Sequence, residues 1–217
     1  MNTKTRLNNK LNKAVFIGML SATLFLAGII QVVSSNQGQS YSNQAITKNP
    51  ALEYFTDIPL VTQDGESLRF YNDLLKNKVV IIHSFFSSCK SSCPVSMRLM
   101  AGIQERFNEK MGKELHILSI SLDPETDTPL KLKNYAEELD VGPGWQLLSG
   151  DKQNVDLALN KIGHYVADID SHKNTIIIGN EATGLWKKAF LMSSSEALDK
   201  VIRSVLEDKM PVTASVE

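Results

Sequence analysis

Residues 79–86, VVIIHSFF, are dominated by β-branched and aromatic side chains. A run of that kind reads as a strand buried on both faces, which requires helices above and below its sheet. The chain supplies one almost at once. In PVSMRLMAGIQERFNEK, Met97, Met100, Ile103 and Phe107 recur along one apolar stripe, and Pro94 suits a first helical position. The unit then repeats. Residues 115–122, LHILSISL, read as a second buried strand, DPETDT as a capping loop, and PLKLKNYAEEL as a helix opening at Pro129. A short strand at 145–148 and a helix at 152–162 follow. A strand at 175–178, the turn GNEATG, a return strand at 185–189 and an amphipathic helix at 195–207 complete the series. Upstream, the turn Gln63-Asp64-Gly65 marks a small hairpin leading into a short helix. This alternation predicts an α/β sandwich with a mixed central sheet.

Between the first strong strand and its helix lies Ser87-Ser88-Cys89-Lys90-Ser91-Ser92-Cys93-Pro94, which holds both cysteines of the chain. In open α/β sheets the carboxyl ends of strands are where ligands bind. Cys93 falls at or near the helix N-cap, where unpaired N–H groups and the dipole favour a thiolate, the form that attacks disulfides and binds metals. Two cysteines are too few for a disulfide scaffold or a four-thiolate zinc site. A plain structural disulfide or two inert thiols is the bland alternative. Three intervening residues, however, close a loop too small to constrain the unfolded chain much, so the spacing favours redox or metal use.

A metal site needs at least one more donor, and the chain has four histidines. His83 and His116 lie within apolar strand runs and read as hydrogen-bonded core or strand residues. His164 and His172 fall in the polar stretch GHYVADIDSHKN, and His172, in a loop entering a central strand, can face the cysteine loop. Met97 and Met100 invite a thioether reading, but at helical spacing on an apolar stripe they read as core. Trp145 and Trp186 read as packing residues, and Lys187-Lys188 as a solvated edge.

The formal charge of −1 conceals an asymmetry: the first thirteen residues carry +4, leaving −5 on the rest. No pervasive basic excess exists of the kind that binds nucleic acid. After the basic head, residues 14–33, AVFIGMLSATLFLAGIIQVV, carry no charge and as a helix span roughly 30 Å, about one hydrocarbon core. A cleaved signal peptide shares the basic start, but its apolar core is shorter and ends at a small-residue site; the following QVVSSNQGQS matches such a site poorly. The segment therefore reads as an uncleaved transmembrane helix. Positive-inside asymmetry leaves the head in the cytoplasm and the body outside, periplasmic in a Gram-negative cell. The predicted organisation is a head at 1–13, an inner-membrane anchor at 14–33, a Ser/Asn/Gln-rich tether at 34–49, a folded domain at 50–209 and a tail at 210–217. With 42% hydrophobic and 22% charged residues, that domain has an ordinary globular composition.

Cys89-Lys90-Ser91-Ser92-Cys93-Pro94 after an aromatic-rich strand, Ser121-Leu122-Asp123-Pro124-Glu125-Thr126-Asp127-Thr128 after the next strand, and His172 79 residues beyond Cys93 together resemble the Sco/SenC family. The resemblance covers about residues 52–205. It implies a thioredoxin-like fold, usually membrane-anchored, and a role in assembling the dinuclear copper A centre of cytochrome c oxidase. Carried over, Cys89, Cys93 and His172 match the family's copper ligands; two soft thiolates and one imidazole suit copper(I) and can also hold copper(II). Asp123 and Asp127 match an acidic loop motif in which capping, loop-shaping and partner contact all remain open, and neither is assigned to the metal. The chain departs from the family pattern in having Ser171 directly before the histidine and GNEATG after the following strand, which marks a divergent branch.

The resemblance implies a metallochaperone that delivers or prepares copper for an oxidase subunit or another copper or thiol protein. A second class is a thiol-disulfide oxidoreductase cycling Cys89 and Cys93 to reduce client cysteines. A third, a thiol peroxidase, resembles P-x-x-x-T/S-x-x-C, and Ile82 and Phe86 occupy its first two marked positions here.

Overall fold

The computed structural model describes residues 50–89, 93–169, 175–191 and 193–209. The head, anchor, tether and tail predicted at 1–49 and 210–217 lie outside them. Among the described residues no helix is long and apolar enough to cross a membrane.

A short helix α1 (Pro50–Phe55) precedes a hairpin of β1 (Pro59–Thr62) and β2 (Ser67–Arg69), followed by a π-helical turn, Phe70–Leu75. Then come β3 (Val79–Phe85), α2 (Cys93–Arg106), β4 (Leu115–Ser121), α3 (Pro129–Glu138), β5 (Trp145–Ser149) and α4 (Lys152–Lys161). The hairpin of β6 (Thr175–Asn180) and β7 (Leu185–Phe190) and the helix α5 (Ser195–Leu206) close the domain. The strands form one seven-stranded sheet in the order β2-β1-β5-β4-β3-β6-β7. β5, β4 and β3 are parallel, β1 and β6 run antiparallel to them on either side, and the edge strands β2 and β7 pair antiparallel with β1 and β6. This is the expected mixed sheet. Sequence reading did not anticipate α1 or the π-helical winding of residues 70–75.

Every residue of β3 is buried, as a central strand sandwiched between helical layers requires. The steps from β3 to β4 and from β4 to β5 go the same way, so right-handed crossovers place α2 and α3 on one face. That is the face of Ile81, His83 and Phe85. The stripe Met97, Met100, Ile103 and Phe107 packs there, all four side chains buried, and Arg106 of α2 reaches Asp199 of α5 at 2.9 Å. The π-helical turn lies on the opposite face, where Leu74 and Leu118 line one cleft. There α1 touches the turn through Phe55 and Phe70, ring centroids 6.2 Å apart, and touches α4 through the Tyr54 hydroxyl on the Lys161 carbonyl at 2.9 Å. Helix starts follow local chemistry. Thr128, Asp151 and Ser194 cap α3, α4 and α5 by accepting backbone N–H bonds, and Pro129 occupies the first turn of α3.

The tryptophan readings hold, and the solvated-edge reading of Lys187-Lys188 holds for Lys188 alone. Trp145 is buried and its indole N–H donates to Ser119 Oγ at 2.9 Å. Trp186 leans on Phe55 at 5.0 Å. β7 is the sheet edge; Lys188 on it is exposed, while Lys187 donates to Ser204 Oγ at 2.7 Å.

Candidate metal and thiol site

Both cysteines stand where β3 hands over to α2, at the carboxyl end of two adjacent parallel strands. The chain turns sharply after Phe86, whose carbonyl accepts the Cys89 N–H at 3.2 Å, and Cys93 opens α2. Both thiols are reduced and buried, Cys89 9% and Cys93 1% exposed. The Cys93 N–H donates to Cys89 Sγ at 3.5 Å. One helix-start amide is thus already directed at the first sulfur.

The protonation of Cys93 differs from the sequence expectation. A cysteine at a helix start was expected to be a ready thiolate, but the Cys93 thiol is pushed up to about 12. Burial is the largest cause, followed by the hydrogen bond with Cys89; the negative fields of Cys89 and Asp127 add to it, and a backbone bond from Phe86 opposes it. Desolvation of the charged form outweighs the helix terminus. In the absence of a compensating cation, this sulfur keeps its proton.

Asp127 anchors the loop from below. Its fully buried carboxylate accepts the Ser87 N–H at 3.1 Å, the Ser87 hydroxyl, and the Ser121 hydroxyl at 2.7 Å, and pairs with Lys131 at 3.6 Å. Asp123 shapes the same turn: its N–H donates to Ser121 Oγ at 3.0 Å and its carbonyl accepts the Asp127 N–H at 2.8 Å. The acidic motif therefore shapes the loops beside the thiols.

Register sorts the histidines. Val80 pairs with His116 while Phe85 pairs with Ser121, so His116 lies five residues back along β4 from the cysteine end. That is roughly 17 Å at 3.3 Å per residue. Burial and the nearby Lys78 lower its pKa. His83 is buried in β3, with Nε2 3.1 Å from Ser96 Oγ. His164 is buried too, which its polar surroundings in the sequence did not suggest, and its Nε2 lies 3.3 Å from Thr175 Oγ1. His172 lies outside the described residues. β6 begins three residues after it, and the antiparallel register that pairs Ile82 with Ile177 puts Thr175 level with Ser84, at the cysteine end of β3. Among the described residues no three Cys, His, Asp or Glu side chains are grouped to hold a metal. Met97 and Met100 are wholly buried core residues.

Tyr135 of α3 is a neighbour that sequence reading missed. Its ring stacks on Phe85 with centroids 5.9 Å apart, and its hydroxyl is pushed up to about 12, by burial first and then by the negative fields of Cys93 and Cys89. The signal was available: Leu132, Tyr135 and Ala136 share one helical face, which marks Tyr135 as inward-facing.

The SCO1/SenC family profile matches residues 46–206. A SCO2-like protein of Rickettsia conorii is 30% identical over 150 residues, spanning 64% of this chain and 70% of that one. Yeast Sco1, solved with copper bound, superposes with a TM-score of 0.57 at 24% identity, over 70% of this chain and 91% of that one. BsSco, a member of the Sco family of cytochrome c oxidase assembly proteins in which a disulfide switch was identified, superposes with a TM-score of 0.58 at 21% identity, over 70% and 92%. The two superpositions carry the thioredoxin-like α/β fold, and the match over residues 46–206 places this chain in the SCO1/SenC family.

Proposed function

We propose that this protein is a membrane-anchored, extracytoplasmic copper carrier that holds one copper ion through Cys89, Cys93 and His172 and delivers or prepares it for the copper A centre of a respiratory oxidase. The observation that carries this reading is the pairing of two buried cysteines at the end of β3, Cys89 Sγ accepting the Cys93 backbone N–H at 3.5 Å, with a β6 that starts at the same end of the sheet. The donor set fits the ion. Two thiolates and an imidazole are soft enough for copper(I), and the ion's charge would offset the desolvation that keeps Cys93 protonated. Copper bound to yeast Sco1 and the oxidase-assembly role of the family of BsSco support the same cargo and client. The uncharged span at 14–33 behind a +4 head supports the anchor and its orientation.

Titration of the reduced full-length protein with copper tests the ligand set. One equivalent binds to the wild type, and His172→Ala weakens binding and alters the spectrum. A His172→Ala protein with unchanged stoichiometry, affinity and spectrum removes the three-ligand site.

A second reading is thiol-disulfide exchange with client cysteines, favoured by the hydrogen bond between the two cysteines and by the disulfide switch of BsSco. It requires that the copper-free protein reduce an oxidised copper A subunit and that Cys89→Ser abolish this.

A further inference from the structure

Beneath the first turn of α2 lies a polar pair that the proposed ligand set does not use. His83 projects from β3 and Ser96 from α2, and they are 1% and 5% exposed. The Ser96 hydroxyl donates to the Cys93 carbonyl at 2.9 Å, and His83 Nε2 lies 3.1 Å from the same hydroxyl oxygen. A serine hydroxyl has one proton. Since a carbonyl can only accept, that proton belongs to the bond with Cys93, and Ser96 Oγ must accept from His83. The hydrogen-bond network thus assigns a proton to Nε2 of His83. The chain of bonds has one direction: His83 N–H to Ser96, Ser96 O–H to Cys93 C=O, Cys93 N–H to Cys89 Sγ. It links the middle of the central strand to both cysteines.

The position of the imidazole is informative. Val79, Ile81 and Phe85 share its face of β3 and all are apolar and buried. A leucine would suit the same site, whereas a buried polar ring is costly unless its hydrogen bonds are made. The first turn of a helix lacks full backbone bonding and is its most easily shifted part. Here that turn carries Cys93, and the strand-borne imidazole holds it through Ser96.

We propose that His83 is a positioning residue for the Cys89 and Cys93 pair, locking the first turn of α2 to β3 through Ser96. The copper readout of this inference rests on the function proposed above; its redox readout does not.

The test compares His83→Leu, His83→Gln, Ser96→Ala and the His83→Leu/Ser96→Ala double variant of the full-length protein. The measurements are copper(I) affinity against a chromogenic chelator, the dithiol-disulfide equilibrium constant of the metal-free pair in dithiothreitol buffers, and the denaturant midpoint. His83→Leu should shift the first two by roughly three- to thirtyfold, the worth of one buried hydrogen bond. His83→Gln, which can present an N–H at the same place, should return both to within about threefold of wild type. Ser96→Ala should reproduce the loss, and the double variant should add nothing further. The proposal is overturned if folded His83→Leu keeps both wild-type constants, if the glutamine variant is as impaired as the leucine one, or if the two losses add. Should His83→Leu fail to fold, Ser96→Ala decides, and unchanged constants in that variant overturn the proposal. If the wild type binds no copper(I), the copper reading fails and the redox constant alone judges His83.

Discussion

Ser87 gives both its N–H, at 3.1 Å, and its hydroxyl to the buried carboxylate of Asp127, forty residues further along the chain. The loop that leads to Cys89 is thereby tied to the loop after β4. Asp127→Ala leaves the Ser87 amide and the Ser121 hydroxyl without their acceptor in a buried site. It should cost about 2–4 kcal/mol. Asp127→Asn keeps one carbonyl oxygen and should cost about half as much. Denaturant unfolding of both variants checks this ordering, and two midpoints within error of the wild type would contradict the clamp.

Met97 and Met100 sit about one and two helical turns beyond Cys93, but both are wholly buried on the core face of α2. Met97→Leu and Met100→Leu should therefore behave as near volume-conserving core changes, each costing less than about 1.5 kcal/mol. Copper stoichiometry and spectrum should be unchanged. A folded variant that binds copper more weakly would make one of these residues a thioether ligand.

Gly179 of β6 pairs with Trp186 of β7, and a Cβ on this glycine would fall 2.1 Å from the indole ring. The ring occupies the space a side chain would need, and from there it reaches Phe55 of α1. Gly179→Ala should push the indole away and cost about 1–3 kcal/mol by overpacking. In a Trp145→Phe background, which leaves one tryptophan, the displacement should appear as a fluorescence shift. Trp186→Ala should relieve most of the cost of the alanine, and additive losses would show that the ring is not the obstacle.

Much of the fold was legible because the runs at 79–86 and 115–122 alternate with helical stripes, and burial enforces each period separately. The hairpin turns and the start of α3 at Pro129 were equally local. The π-helical winding at 70–75 was not, since Phe70, Tyr71, Leu74 and Leu75 would bury equally well on an α-helix. The cysteines could be placed at a strand end from spacing alone. The protonation of Cys93 could not, because the burial that raises it comes from tertiary packing, with Cys89 and the distant Asp127 adding to it. His83 read correctly as core, but its bond to Ser96 joins a strand to a helix thirteen residues away and has no periodic signature.

Cys93 also predicts how copper loading and stability respond to pH. Its thiol is pushed up to about 12, so across neutral and mildly alkaline pH an incoming ion must displace this proton. Apparent copper(I) affinity should therefore rise about tenfold per pH unit on account of Cys93, with a proton released on binding. For the metal-free protein the sign reverses. The unfolded chain ionises this thiol near the ordinary value of about 8.5, while the folded chain keeps its proton up to about 12. Above the ordinary value the unfolded state therefore binds fewer protons. The contribution of Cys93 is fully present below that value and is lost as pH climbs toward the folded one. Cys93→Ser should flatten this alkaline loss in denaturant melts and remove its share of the proton release seen by calorimetry in buffers of different ionisation enthalpy. A copper affinity independent of pH between 6 and 9 would mean that Cys93 is already a thiolate, and that the helix start outweighs its burial.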